Sequence, residues 1–393
     1  MRRPNHGGNL AWAGAIAGCP PSSILDFSAS INPLGPPKSV IAAIESQLKG
    51  LISYPDPNYC SLRQSLSQLH PNLNPDSIVP GNGSAELLTW AGRELAQLEE
   101  TYLLTPAFSD YQRALKAFGA NVTACRLRDW ECSTAKGNSK SLGNADINPT
   151  RAIAPGLLPI PNSKPPIPNR RGLLLNNPHN PTGKLFARET IEPLLEQFAL
   201  VVIDEAFMDF LPPEKQQSLI PLVHDYSNLV ILRSLTKFYS LPGLRLGYGV
   251  TNPERIRHWQ QWRDPWPVNC LAVAAAAAAV VDSEFQQQTW QWLPAARWQL
   301  FQGLAQLPGL QPHQSAANFL LVQSQQSSSQ IQEQLLKHSR CLIRDCLSFP
   351  ELGDRYFRVA VRTQSDNQCL LEGLEAILNQ GDRSLRVRRQ KHR

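Results

Sequence analysis

Leu229-Val230-Ile231-Leu232-Arg233-Ser234-Leu235-Thr236-Lys237 joins four apolar residues to a polar segment that ends in lysine. Four apolar residues in a row, without alternation, suit a strand buried on both faces, as in a parallel sheet. The pattern recurs in Gly172-Leu173-Leu174-Leu175, in Leu200-Val201-Val202-Ile203 and in Leu246-Gly247-Tyr248-Gly249-Val250. More than twenty residues of amphipathic sequence separate the first three runs along the chain, enough for helical crossovers, and thirteen separate the last two. An α/β core with a mostly parallel sheet is expected. Polar segments follow the runs: Asn176-Asn177-Pro178-His179-Asn180-Pro181-Thr182-Gly183, then Asp204-Glu205, then Arg233 to Lys237. Open α/β sheets bind ligands at the carboxyl ends of their strands, so these segments are expected to converge on one crevice.

Around this core the chain has 393 residues, 42% apolar and 18% charged, which is folded-globule composition and more than one domain's length. No run is long enough to span a bilayer, and the first residues lack a signal-peptide pattern, so a cytoplasmic protein with no membrane partner is expected. The net charge of +6 is concentrated at the end, since Ser384 to Arg393 holds five basic residues and no acid. A solvated, disordered basic tail at 381–393 is expected, not a nucleic-acid surface. Eight cysteines without a C-x-x-C pair predict reduced thiols and no metal site. The Pro-rich stretch 131–171 reads as an insertion or long loop. Six alanines from Ala274 to Ala279 lie in a helix-forming stretch expected to link the core to a terminal lobe. That lobe has strand candidates at 318–322 and 356–361. The expected organisation is an N-terminal segment 1–48 joining the small domain, a large domain 49–270, a linking helix and small α+β domain 271–380, and the tail.

Lys237 ends a buried-strand candidate and is followed by apolar sequence, where partial desolvation would make its amine a usable nucleophile. Asp204, just past another strand, could be a metal ligand or the partner of a heterocyclic nitrogen. The chain has neither G-x-x-x-x-G-K-[ST] nor G-x-G-x-x-G, which weakens nucleotide readings. Pyridoxal phosphate needs a lysine, a carboxylate for its ring nitrogen and a phosphate cradle. Gly81-Asn82-Gly83-Ser84-Ala85 is a candidate cradle, a glycine turn opening a helix.

Together, Gly81 to Ser84, Asn177 to Gly183, Asp204-Glu205-Ala206 and Ser234 to Lys237 resemble the fold-type I pyridoxal-phosphate enzymes. The likeness is to the class I/II aminotransferase superfamily and its histidinol-phosphate aminotransferase branch, over about His6 to Leu378. His6-Gly7-Gly8-Asn9, Asp26 to Gly35 and Asp204-Glu205-Ala206-Phe207 are most similar to the threonine-phosphate decarboxylases of cobalamin biosynthesis.

The resemblance implies roles. Lys237 would carry the cofactor and move protons, and Asp204 would pair with the pyridine nitrogen. Asn180 would bond the ring's phenolic oxygen, Phe108 would stack on the ring, and Ser84, Ala85, Ser234 and Arg245 would hold the phosphate. Tyr54 would reach the phosphate of a second subunit, implying a homodimer with shared sites. Phe207 stands where many relatives have tyrosine and cannot donate a bond. Arg358 would hold an α-carboxylate and Arg344 a second anion, with His6 and Asn32 beside a substrate phosphate. The implied reaction is decarboxylation of L-threonine O-3-phosphate, a phosphorylated amino acid. The alternative is transamination between histidinol phosphate and 2-oxoglutarate.

Overall fold

The computed structural model describes residues 3–127 and 170–391, with side chains through 379. It divides into two compact units. The smaller comprises residues 1–35, 181–184 and 284–393, and the larger residues 36–180 and 185–283. The strands are β1 (Leu25–Asp26), β2 (Ile78–Asn82), β3 (Glu100–Thr105), β4 (Val122–Arg126), β5 (Arg171–Asn176), β6 (Leu200–Asp204), β7 (Leu229–Ser234), β8 (Leu246–Thr251), β9 (Leu310–Pro312), β10 (Phe319–Ser324), β11 (Cys341–Leu342), β12 (Arg344–Asp345) and β13 (Tyr356–Ala360).

In the larger unit seven strands form one sheet in the order β2-β8-β7-β6-β5-β3-β4. Strands β7, β6, β5, β3 and β4 run parallel, and β8 is antiparallel to both its neighbours. The apolar runs are its centre: Leu173 to Leu175, Val201 to Ile203 and Leu229 to Leu232 are buried throughout. Each such side chain contributes roughly 1.5–3 kcal/mol on leaving water. Register places Asn176, Asp204 and Leu232 abreast, and Ser234 beside Gly247, itself beside Gly81. The expected convergence at one sheet edge is therefore observed.

Helix Ser84–Leu95 buries Leu87, Leu88, Ala91 and Leu95, one stripe of a 3.6-residue period, against this sheet. Gly92 is needed because a Cβ there would lie 2.8 Å from the Ala114 carbonyl oxygen of helix Ser109–Lys116. In the smaller unit, β12-β13-β10-β9 form an antiparallel sheet and β1 pairs parallel with β11. Trp12, Ala13, Ile24, Leu336 and Leu342 make one of its cores.

Several expectations are corrected. The N-terminal boundary falls at Pro36, not 48, because helix Lys38–Gln47 packs on helix Cys270–Val281 within the larger unit. The alanine run forms that helix and stays in the larger unit. The chain turns at Asp282 (φ −79°, ψ 76°), and a separate helix, Ser283–Gln306, follows. The expected single linking helix is therefore two. The C-terminal helix runs from Gln364 to Lys391, so the basic segment 381–391 is helical and not an unstructured tail. Arg, Gln and Leu are good helix formers, and no glycine or proline follows Gly381. The Pro-rich stretch lies outside the described residues as far as 169, and its last residue, Arg171, opens β5. Among the described residues seven cysteines are free, no cluster could hold a metal, and no helix is long and apolar enough to cross a membrane.

Candidate active site

Asp204 ends β6, and each of its carboxylate oxygens accepts a hydrogen bond. Oδ2 accepts the Tyr111 hydroxyl at 2.8 Å, and Oδ1 accepts the Ala206 N–H at 2.9 Å. Burial pushes its pKa up, against the bonds from Tyr111 and Ala206 and the positive charge of Lys237. Lys237 is half-buried in the single helical turn Leu235–Phe238 that follows β7. Ser234 caps this turn: its Oγ accepts from the Thr236 N–H at 3.4 Å and lies 2.7 Å from the Thr236 hydroxyl. The strand-to-turn junction thus aims Lys237 from the sheet edge that carries Asp204.

On the β2 side of the same edge lies an anion cup. Helix Ser84–Leu95 starts at Ser84 and Ala85 with no side chain capping its first N–H groups, which leaves donors aimed outward. The preceding Gly83 has φ +73°, and a Cβ there would lie 2.6 Å from Arg245 Nη2. Only glycine lets the exposed Arg245 guanidinium lie against this turn. A Cβ on Gly247 would meet the Ser84 nitrogen at 2.5 Å and the Arg233 carbonyl oxygen at 2.7 Å. Backbone donors, a guanidinium, and a half-buried lysine and carboxylate on one sheet edge are the donor set that pyridoxal phosphate requires, so these residues fit that group. Gly247→Ala is expected to weaken pyridoxal phosphate binding about tenfold or more, because the added methyl meets backbone on two sides. Absorbance titration of the purified chain reads this, and unchanged affinity would remove the cup from the site.

Other expected residues have the following places. Asn180 is buried at the end of a turn that Asn177 pins, giving its Nδ2 to the Phe186 carbonyl (3.0 Å) and accepting the Phe186 N–H (2.9 Å). Phe108 precedes helix Ser109–Lys116 and meets the Tyr111 ring edge-on at 5.8 Å. Phe207 is buried against Phe210, ring centroids 6.5 Å apart, an apolar position suited to phenylalanine. Tyr54 is 78% exposed and stacks on Trp266 at 4.4 Å, so within one chain its ring lies open to solvent.

The smaller unit holds the remaining expected residues. Arg344 on β12 stands directly opposite Arg358 on β13, and both are buried. Like charges placed opposite each other repel. Burial and the Arg344 charge together bring the Arg358 pKa down to about 10, which still leaves it charged at neutral pH. Arg358 lies over the Phe319 ring at 4.7 Å and donates to the Ser28 carbonyl at 3.4 Å. Arg344 donates to the Ser348 hydroxyl at 2.6 Å and to the Asn5 carbonyl. Arg344 Nη1 also lies 3.8 Å from the Asp345 carboxylate. His6 and Arg344 line one small cavity with Asn9, Ser28 and Trp12. Asn32 is placed differently: its Nδ2 donates to Thr289 at 2.9 Å and its Oδ1 accepts the Leu34 N–H, and it does not line that cavity.

Two parts of the larger site were not legible as site residues. Tyr111 stands three residues after Phe108, yet nothing in that spacing shows that its hydroxyl reaches Asp204. Arg233, read only as part of a strand-to-lysine junction, is buried between Glu205 (3.2 Å) and Asp209 (2.6 Å). A charged residue directly after a buried apolar run was the one available signal.

The aminotransferase class I and II family model matches residues 22–377. Threonine-phosphate decarboxylase of Salmonella typhimurium is 37% identical over 381 residues, 95% of this chain and 96% of that protein. Histidinol-phosphate aminotransferase of Methylobacillus flagellatus is 32% identical over 365 residues, 92% of this chain and 90% of that protein. The crystal structure of histidinol-phosphate aminotransferase from Clostridium acetobutylicum superposes with a TM-score of 0.75 at 27% identity, covering 91% of this chain and all of that one. With most of its length matched and an intact lysine, aspartate and glycine cup, the chain belongs to the aminotransferase class I and II family.

Proposed function

We propose that the chain is a pyridoxal-phosphate-dependent lyase that decarboxylates L-threonine O-3-phosphate to (R)-1-aminopropan-2-yl phosphate and carbon dioxide, in cobalamin biosynthesis. The observation that carries the reading is the buried, register-matched pair Arg344 and Arg358. Two buried arginines at register-paired positions suit a substrate that brings both a carboxylate and a phosphate. The similarity to a threonine-phosphate decarboxylase over nearly the whole of both chains supports the same choice.

When bound, pyridoxal phosphate supplies an electron sink for the pair left at the α-carbon. Ser84, Ala85, Ser234 and Arg245 hold its phosphate, Asp204 its ring nitrogen, Asn180 its phenolic oxygen, and Phe108 its ring face. Phe207 adds apolar contact without a hydrogen bond. Arg358 takes the α-carboxylate, and Arg344 takes the substrate phosphate with His6, which lines the same cavity. Carbon dioxide leaves with its bonding pair staying behind, and the Lys237 ammonium returns one proton to the α-carbon, which balances the reaction.

The working form is a homodimer in which Tyr54 of one subunit reaches the other's cofactor phosphate. Leu48, Leu51 and Ile52, exposed beside Tyr54, support such a covered face. Carbon dioxide release from phosphothreonine without any keto acid is the expected result. No release, together with histidinol-phosphate-dependent conversion of 2-oxoglutarate to glutamate, would replace this reading with transamination. That second reading is favoured by the 32% identity to a histidinol-phosphate aminotransferase.

A further inference from the structure

We propose that Tyr111 is a positioning residue for the cofactor ring: its hydroxyl holds the Asp204 carboxylate charged and oriented for the pyridine nitrogen. The inference rests on the pyridoxal phosphate part of the reading above and is independent of the substrate. Tyr111 sits on helix Ser109–Lys116, is 2% exposed and belongs to the larger unit's apolar core. A buried phenol needs a partner for its O–H, and here the partner is Asp204 Oδ2 at 2.8 Å. An ionised carboxylate only accepts, so the tyrosine donates. With Ala206 N–H on Oδ1, the two bonds fix both oxygens and so fix the plane of the carboxyl group.

The electrostatics agree with this geometry. Burial favours the protonated acid, and the bonds from Tyr111 and Ala206 and the Lys237 charge work against burial, while Asp110 adds to it. Loss of the hydroxyl removes one of those opposing interactions and shifts Asp204 toward the neutral acid, which cannot ion-pair with a pyridinium. The same ring meets Phe108 edge-on, with planes 87° apart. Tyr111 therefore touches both the group expected below the ring nitrogen and the group expected on the ring face, without itself being a catalytic residue.

The test uses full-length Tyr111→Phe, which keeps the ring and its packing, with Tyr248→Phe as a control. Tyr248 is equally buried, and its hydroxyl lies 2.8 Å from His70 Nε2, in a different part of the sheet. Pyridoxamine 5′-phosphate is the probe, since it presents ring and phosphate but forms no bond to Lys237. Binding is titrated by tryptophan fluorescence from acid to neutral pH. Tyr111→Phe is expected to weaken binding about tenfold at neutral pH, the worth of one hydrogen bond to a charged group. On the acid side, its binding is expected to fall off at a higher pH than in the wild type. Tyr248→Phe is expected to lower the melting temperature and leave both readouts in place. Tyr111→His, which returns a ring donor, is expected to recover part of the affinity. Wild-type affinity and an unmoved acid limb in Tyr111→Phe would overturn the proposal alone. A wild-type chain that does not bind the probe would overturn the cofactor reading along with it.

Discussion

Lys237→Ala is expected to lower decarboxylation of phosphothreonine by about a thousandfold or more, since a positioned proton donor and a covalent anchor are lost together. The absorbance band of the lysine-bound cofactor should vanish, while the chain still melts near the wild-type temperature. The reason is local: Lys237 occupies a single helical turn held by the Ser234 cap and by the buried Leu235 and Phe238, and its own side chain is only half-buried. Lys237→Arg tests the chemistry more narrowly. It restores the positive charge beside Asp204 but cannot form the bond, because a guanidinium does not deprotonate in this range. Its activity should stay as low as that of the alanine variant, although its affinity for the non-covalent probe should be higher. Substantial turnover by either variant would remove Lys237 from the reaction.

Arg233→Met should be the most destabilising single substitution, by about 3–5 kcal/mol in urea denaturation. The guanidinium is buried between Glu205 and Asp209, with Nη1 2.6 Å from Asp209 and Nη2 3.4 Å from the Ser218 hydroxyl. Its Nε is 3.2 Å from Glu205, an ion-pair distance without hydrogen-bond alignment. Glu205 is further held by the Ser218 hydroxyl at 2.6 Å and the Leu219 N–H at 3.0 Å. Burial pushes both carboxyl groups up in pKa, and the Arg233 charge is what opposes it. Without that charge the two pKa values should rise further, so the stability that these carboxyl groups add as pH falls through the carboxylate range should be larger in the variant than in the wild type. The sign follows from linkage: a carboxyl with a raised folded pKa binds protons more readily folded than unfolded. The triple variant Arg233→Met, Glu205→Gln, Asp209→Asn should recover much of the loss. A single variant within 1 kcal/mol of the wild type would show that the network is not structural. Because Arg233 precedes Ser234 and its carbonyl abuts Gly247, the substitution should also loosen the phosphate cup.

The parts of the fold readable from sequence share one property: each is encoded in contiguous residues. The apolar runs appear as β5, β6, β7 and β8 because burial on both faces leaves no polar position in a short strand. Gly83 is readable because a turn with φ +73° excludes side chains, and Lys237 because charge after a buried strand lies at a sheet edge. Boundaries were less legible. Helix Lys38–Gln47 has no local sign that its partner is Cys270–Val281, more than two hundred residues away, and the break at Asp282 is one residue's backbone turn. The basic segment 381–391 continues a helix because propensity, not charge, governs whether a chain end keeps its backbone bonds.

By itself, then, the sequence determined four of the sheet's seven strands, the lysine, the aspartate and the glycine turn, since each depends on its own neighbours along the chain. Only the tertiary structure decided which groups meet. Tyr111 reaches Asp204 across ninety-three positions, Arg358 stands opposite Arg344 through strand register, and Arg233 finds its carboxylates in the interior. The physical reason is that hydrogen bonds and ion pairs depend on distance in space, and strand pairing brings together residues that no local pattern relates.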